Sequence, residues 1–207
     1  RLWSDKGLNM RVAINISAQH MRQPDLGARI ASALARYRVD PTRLTCEITE
    51  SLAMENTQAT QETFSQLAHM GVHVSIDDFG TGYSSLAYLR KLPASEIKID
   101  RSFVLDLERS ADARSVIDAV VKLAHALGKR VVAEGVENVR QRRLLTELGC
   151  DELQGFLFAH PMSADDLLQW ALDDRHRDEQ VFRNSLYVQP TAELQNEIDT
   201  RRKPIVH

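Results

Sequence analysis

Cysteine is scarce: two in 207 residues, Cys46 and Cys150, far apart in the chain. Both are expected inside strand-like segments, where a thiol behaves as a small buried hydrophobe. A disulfide framework is excluded on this count, and a reducing, cytoplasmic compartment fits best. Long apolar runs are also lacking. The greasiest stretch, residues 116–127, is interrupted by Asp118, Lys122 and His125, so no membrane span is expected. The N-terminus has no apolar h-region of a signal peptide. Nor is there an excess of positive charge, because 26 basic and 29 acidic residues leave a net charge of -3. Without a global positive field, duplex nucleic acid is disfavoured as a partner.

What the chain does have is ordinary globular composition, 43% hydrophobic and 27% charged, enough for one full-sized core. Six short segments rich in β-branched residues recur at 11–16, 44–49, 72–77, 96–100, 130–134 and 151–155. Helical spacing separates them, as in Ile30, Leu34 and Tyr37, or Val116, Val120, Leu123 and Leu127. Gly71, Gly128 and Gly149 each stand just before a strand segment, where a helix C-terminus calls for a left-handed residue. Repeated βα units and a parallel sheet follow.

Alternation along the strands separates an open sheet from a barrel. One face is apolar in Val12, Ile14 and Ile16, in Leu44, Cys46 and Ile48, in Val72, Val74 and Ile76, and in Ile97 and Ile99. The other face is small or polar and ends in a functional group. It runs Ala13 to Asn15, Thr45 to Glu47, Ser75 to Asp77, Glu96 to Lys98, Val132 to Glu134 and Glu152 to Gln154. A sheet covered by helices on both sides needs two apolar faces. A barrel needs one, with polar ends at its C-terminal mouth. The predicted fold class is therefore α/β, a (β/α) TIM-type barrel. Six units of roughly 29 residues fill residues 1–172, where a complete barrel takes about 250, so the first two strands are expected to be missing and the chain to be a fragment. Residues 173–207 are polar and charge-dense with a small apolar cluster at Val181, Phe182, Leu186, Tyr187 and Val188; they read as a linker, a docking helix or a disordered tail.

The barrel reading brings Asn15, Glu47, Asp77, Asp78, Lys98, Glu134 and Gln154 to one mouth. Four carboxylates against one lysine repel unless cations compensate. Hard divalent ions suit carboxylate and amide oxygens, and no Cys or His stands at these strand ends to suggest zinc. Adjacent Asp77 and Asp78 suit a metal pair about 3.5–4 Å apart, of the kind that activates water and clamps a phosphoryl group. Any one of these acids taken alone reads as a solvated strand end; six polar ends in phase read as a site. Lys98 has rival roles: a charge partner for Asp77 or Glu96, an imine nucleophile, or electrostatic help to a phosphate. Neighbouring carboxylates raise its pKa and disfavour the imine. The glycine-rich stretch at 78–85 fits an anion cradle or a plain turn with an N-cap, and both readings stay open. His20, His69, His73, His125 and His160 lack ligand spacing.

Taken as a set, Asn15-Ile16-Ser17, Glu47-Ile48-Thr49-Glu50, Asp77-Asp78-Phe79-Gly80-Thr81-Gly82, Ile97-Lys98-Ile99-Asp100, Ala133-Glu134-Gly135-Val136-Glu137 and Gln154-Gly155-Phe156 resemble the EAL domain family, the bacterial cyclic-di-GMP phosphodiesterases. The resemblance covers residues 12–161. It implies an EAL-like barrel over residues 1–172 and hydrolysis of cyclic di-GMP to linear pGpG with two Mg2+ or Mn2+ ions. It implies Asn15, Glu47, Asp77, Asp78 and Glu134 as metal ligands, with Asp77 bridging, and Lys98 holding the attacking water. Gln154 would order the water shell, Glu137 would support the site, and Glu50 would anchor the loop at 79–85, which relatives couple to a dimer interface. A homodimer and a fused sensory or GGDEF-type domain are expected by the same resemblance. The Glu-Ala-Leu motif itself is absent. That absence motivates the alternative of a catalytically inactive cyclic-di-GMP receptor. A barrel lyase using Lys98 as an imine nucleophile is the third possibility.

Overall fold

A computed structural model of the chain describes residues 1–55, 57–82, 86–172 and 189–190. The chain divides into two compact units, one of residues Val12–Ala159 and one formed by Arg1–Arg11 with the segment from His160 onward. Apart from 189–190, the expected polar extension at 173–207 lies outside the described residues, as do Tyr83, Ser84 and Ser85 of the glycine-rich stretch.

Eight strands are described: β1 (Leu8–Asn9), β2 (Val12–Asn15), β3 (Leu44–Thr49), β4 (His73–Phe79), β5 (Glu96–Ile99), β6 (Arg130–Ala133), β7 (Glu152–Leu153) and β8 (Gln189–Pro190). In the smaller unit β1 pairs antiparallel with β8. Leu8, Met10 and Ala171 are buried there, with Trp3, Leu167, Leu168 and Trp170 packed around them. Trp3 Nε1 donates to the carbonyl of Ala164 at 3.2 Å, at the start of the helix Ala164–Leu172.

In the larger unit β2 to β7 lie side by side in chain order, every pair parallel. Helices follow the strands, among them Leu26–Tyr37 after β2, Gln58–Met70 after β3, Ala111–Ala126 after β5 and Val139–Glu147 after β6. Six parallel strands in a curled half-barrel with helices outside bear out the (β/α) reading. The strand segments fall within a residue or two of their expected bounds. Gly71, Gly128 and Gly149 close or follow helices at φ 81°, 68° and 89°, the left-handed geometry expected of them.

The outward faces of the inner strands are buried as expected: Cys46 and Ile48, Val74 and Ile76, Ile97 and Ile99, Val131 and Ala133 all belong to one core with Phe64, Leu67, Leu107, Ile117 and Leu145. One expectation fails. Val12 and Ile14, assigned to the apolar face, are 40% and 37% exposed, because among the described residues β2 is the edge of the sheet, with a strand neighbour on one side. The helical spacing expected of Val116, Val120, Leu123 and Leu127 falls on the helix Ala111–Ala126, where Ala113, Ile117, Val121 and Ala124 are buried, Val120, Leu123 and Leu127 pack part-buried against the same core, and Val116 is exposed.

Buried polar groups pin the end of the half-barrel remote from the site. Lys129, which sequence reasoning passed over, is buried with its ammonium donating to the carbonyls of Leu92 at 3.0 Å and Ala94 at 2.7 Å. Burial pushes its pKa down. Asp151 Oδ2 accepts from the Val131 amide at 2.7 Å and lies 2.9 Å from His125 Nε2, which ties the approach to β7 to the start of β6.

Close backbone contact holds the loop after β6. The Val136 amide donates to Gln154 O at 3.0 Å, and a Cβ on Gly155 would lie 2.2 Å from Val136 O and 2.3 Å from Val136 N. Only glycine fits against backbone at such a distance. Gly155→Ala is expected to cost about 3 kcal/mol of stability. Gly128→Ala, with nothing within 4 Å of its Cβ but φ 68°, is expected to cost about 1 kcal/mol. Urea unfolding of both variants checks the order; equal losses would show that the loop yields to make room.

Candidate metal centre

Strand alternation delivers one chemical group per strand to the C-terminal mouth. Glu47 lies on the inward row of β3 just before Thr49, Asp77 on that of β4 and Lys98 on that of β5, while Glu134 follows β6 directly. Lys98 is almost wholly buried, and its Nζ lies 2.7 Å from Glu134, 2.9 Å from Glu47 and 3.2 Å from Asp77. Three carboxylates therefore take the three N–H donors of one ammonium. Burial by itself would lower the Lys98 pKa; the charges and hydrogen bonds of Glu134 and Glu47 overcome it and hold the ammonium well above its ordinary value.

The second acid of β4 is brought in by an irregularity. Register with β5 shifts between Ile76 and Phe79, and Asp78 adopts φ 53°, a left-handed conformation uncommon for a residue with a side chain. Such a bulge re-aims side chains that strict alternation would send to opposite faces. Asp77, Asp78 and Glu134 consequently offer carboxylate oxygens that all lie within 4.8 Å of one another. The Asp78 amide donates to Asp77 Oδ1 at 3.1 Å, and Thr81 Oγ1 donates to the Asp78 carbonyl at 2.8 Å.

Crowding of like charge leaves its mark on two of these groups. Burial raises the Glu134 pKa, with Asp77 and Glu47 adding to the rise and Lys98 opposing it. Burial also raises Asp78, with repulsion from Asp77 and then Asp100 adding to it. Asp100 was given no role by the sequence reading; its place two residues beyond Lys98, just past the inward row of β5, is the signal that could have found it. Both acids would shed this penalty by ligating a cation.

The remaining expected residues surround this cluster. Asn15 is the register partner of Glu47 on the exposed edge strand. Glu50 is buried just beyond β3, and its Oε2 accepts from the amides of Gly80 at 2.8 Å and Gly82 at 3.3 Å, so the loop after β4 is held by its backbone. Gln154 is exposed, and its backbone joins two segments, its amide donating to Ala133 O and its carbonyl accepting from Val136. Glu137 is exposed. Neither Glu137 nor Gln154 contributes its side chain to the Lys98 network among the described residues. Buried Gln141 was not anticipated: its Oε1 accepts from the amides of Glu137 at 2.8 Å and Asn138 at 3.3 Å, closing a capping box that fixes the segment after Glu134. Asn138 followed three residues later by Gln141 is the sequence signal for it.

An all-oxygen donor set with clustered carboxylates suits hard divalent cations and offers no sulfur or imidazole for softer ones. The EAL domain family model matches residues 1–161. This chain belongs to the EAL domain family. Similar proteins include MucR of Pseudomonas aeruginosa, a bifunctional diguanylate cyclase/cyclic di-GMP phosphodiesterase, 47% identical over 169 residues, which are 81% of this chain and 25% of MucR. This EAL chain spans about a quarter of the length of the curated relatives it matches. Among solved structures, the cyclic-di-GMP complex of the MucR phosphodiesterase superposes with a TM-score of 0.77 at 46% identity, covering 80% of this chain and 68% of that one. A manganese and cyclic-di-GMP complex of Klebsiella pneumoniae BlrP1 gives 0.69 at 30% identity, covering 74% and 39%. Divalent metal use by EAL domains and the acidic cluster of this one agree.

Removing the Lys98 charge leaves Glu47, Asp77 and Glu134 buried together without a counter-ion. Lys98→Met is expected to lose about 3–5 kcal/mol of stability in metal-free buffer, and Mn2+ to restore part of it. Thermal melts with and without the ion check this, and an unchanged melting temperature would contradict it. Metal affinity should also depend on pH with a definite sign. Glu134 and Asp78 hold protons at higher pH in the folded chain than in the unfolded one, so in metal-free protein these two groups lose stabilising effect as pH rises from about 4 through their raised values. A cation must displace those protons, so Mn2+ affinity measured by calorimetry should be weaker at about pH 5 than at about pH 7.5, with protons released on binding at the lower pH.

Proposed function

We propose that this chain is a metal-dependent phosphodiesterase that hydrolyses one phosphodiester of cyclic di-GMP to linear pGpG. The observation that carries the reading is the Lys98 ammonium standing 2.7–3.2 Å from three carboxylates at the barrel mouth, beside the Asp77, Asp78 and Glu134 cluster. Relatives and neighbouring structures with cyclic di-GMP in their names support the substrate. In this reading Asn15, Glu47, Asp77, Asp78 and Glu134 would hold two Mg2+ or Mn2+ ions. When bound, such ions would supply Lewis-acid stabilisation of the phosphoryl oxygens and a nucleophile available at neutral pH.

The chain's own residues supply position and charge. Lys98, kept protonated by its partners, orients the attacking water and offsets negative charge as the phosphoryl group is attacked. Glu134 and Asp77 orient that water from the carboxylate side, with Glu137 and Gln154 supporting the solvent side of the site. Glu50 keeps the loop that begins at Phe79 in place through Gly80 and Gly82. Nothing in this chemistry uses the thiols, whose pKa burial pushes up to about 11 for Cys46 and about 12 for Cys150. Free Cys46 and Cys150 agree with a cytoplasmic setting, and no helix among the described residues is long and apolar enough to cross a membrane. A homodimer, and sensory or GGDEF-type domains on the same polypeptide, belong to the same reading, as does a barrel domain over residues 1–172 followed by a linker or docking segment at 173–207.

Chromatography of cyclic di-GMP incubated with the protein and Mn2+ or Mg2+ is expected to show pGpG. Lys98→Ala and Glu134→Gln should each lower turnover by about 100-fold or more. Binding of cyclic di-GMP without turnover in any of these conditions would favour the receptor reading instead. Borohydride trapping with carbonyl substrates is expected to leave Lys98 unmodified, since an imine requires the neutral amine; an adduct there would support a lyase.

A further inference from the structure

Cyclic di-GMP carries two phosphodiesters, and the chemistry proposed above accounts for the one that is cut. The other has a negative charge of its own and must be held beside a mouth crowded with carboxylates. Lys98 cannot serve it, because the ammonium is almost wholly buried and its donors are taken by Glu47, Asp77 and Glu134. Charge balance calls for a second cation at the rim of the site.

Arg101 stands at that rim. It opens the short helix Arg101–Asp106, directly after Asp100 at the C-terminal end of β5. Gly135, the residue after Glu134, has φ 73°, and a Cβ placed on it would lie 2.6 Å from Arg101 Cβ, 3.4 Å from its Cα and 3.9 Å from its Cγ. The stem of Arg101 therefore runs along the loop that begins at Glu134, and a glycine is what leaves it room. The guanidinium itself is uncommitted. Arg101 is exposed, and its side chain has no hydrogen bond or ion pair among the described residues. The carboxylate next to it in the chain, Asp100, is engaged elsewhere: its Oδ1 accepts from the Ser102 amide at 2.9 Å and from the Ser102 hydroxyl, capping the helix. Other surface arginines do find acids, as Arg22 finds Glu55 and Arg140 finds Glu108.

We propose that Arg101 is a substrate-binding residue whose guanidinium pairs with the phosphodiester of cyclic di-GMP that is not being cut. The inference rests on the phosphodiesterase reading above and adds to it a residue that selects for substrates with a second phosphate. A planar fork of N–H donors matches two phosphate oxygens at once, and a guanidinium is weakly enough hydrated to give up its water for them. A neutral base in the same place would leave the charge unused. Because the stem is already laid against Gly135, less side-chain freedom is lost when the anion binds. Arg101 then contributes affinity for the substrate, while Lys98 and the carboxylates contribute the chemistry.

The test uses the whole chain and compares cyclic di-GMP with bis(p-nitrophenyl) phosphate, which has one phosphodiester and no second one to hold. Arg101→Ala is expected to raise KM for cyclic di-GMP by about 10- to 100-fold with little change in kcat, and to leave Mn2+-dependent hydrolysis of bis(p-nitrophenyl) phosphate as it was. Arg101→Lys, which keeps the charge and loses the fork, should fall between the two. Melting temperatures should agree for all three proteins, since an exposed side chain without partners supports no contact. An unchanged KM in Arg101→Ala would overturn the proposal, and so would an equal loss on both substrates, which would trace the effect to the metal centre. If the protein binds cyclic di-GMP without cutting it, calorimetry in Ca2+ gives Kd in place of KM, and an equal Kd for Arg101→Ala overturns the proposal in the same way. Absence of both binding and turnover in the unaltered protein would instead remove the phosphodiesterase reading, and this inference with it.

Discussion

Lys98 Nζ stands among the carboxylates of Glu47, Asp77 and Glu134, which come from three different places along the sheet, so one ammonium sets much of the geometry of the barrel mouth. In a dry interior, neither partner of such a pair is stable alone. The lysine needs the carboxylates to stay charged at that depth, and the carboxylates need the lysine to stand so close together. β5 can present the ammonium only because the barrel interior is polar at this level while its outer face, Ile97 and Ile99, is packed in the core. The chemistry of the site and the packing of the fold are therefore read from alternate residues of the same strand.

Precision at the mouth comes from behind it. Glu50 fixes the loop after β4 by accepting from two backbone amides, which places constraint on the chain itself rather than on its side chains. Gln141 does the same for the segment after Glu134, and the contact of Gly155 with Val136 seats that segment on the strand end beside it. The bulge between Ile76 and Phe79 has the converse task. It breaks the two-residue alternation so that neighbouring aspartates serve one cluster, and the left-handed backbone of Asp78 is the strain that accompanies it.

Much of this could be read from the residues because strand alternation is a rigid rule. The polar ends Glu47, Asp77, Lys98 and Glu134 are in phase with apolar neighbours that must be buried, and the structure does bring those four together. Helix-ending Gly71, Gly128 and Gly149 were equally legible, since a positive φ at a helix end has few other solutions. What failed depends on neighbours that one strand cannot know. Val12 and Ile14 have the pattern of a covered strand but lie on an edge. Lys129 was illegible for a different reason: its partners are backbone carbonyls, which every sequence offers and none advertises. The position of Glu50 came only from resemblance, because a glutamate after a strand says nothing by itself about amides some thirty residues away.

The protein's own cation does not finish the electrostatics of the mouth. Asp78 and Glu134 keep raised pKa values even with Lys98 in place, so burial and neighbouring carboxylates still disfavour their ionised forms in the metal-free site. A fully neutralised cluster would be more stable and would have nothing left with which to bind a divalent ion. Adding a second lysine would therefore stabilise the barrel at the expense of the site, whereas keeping a single lysine leaves a negative potential for metals to occupy. The excess of carboxylates over lysine at the C-terminal mouth is best understood as that retained driving force, held in register by a core that is apolar on its other face.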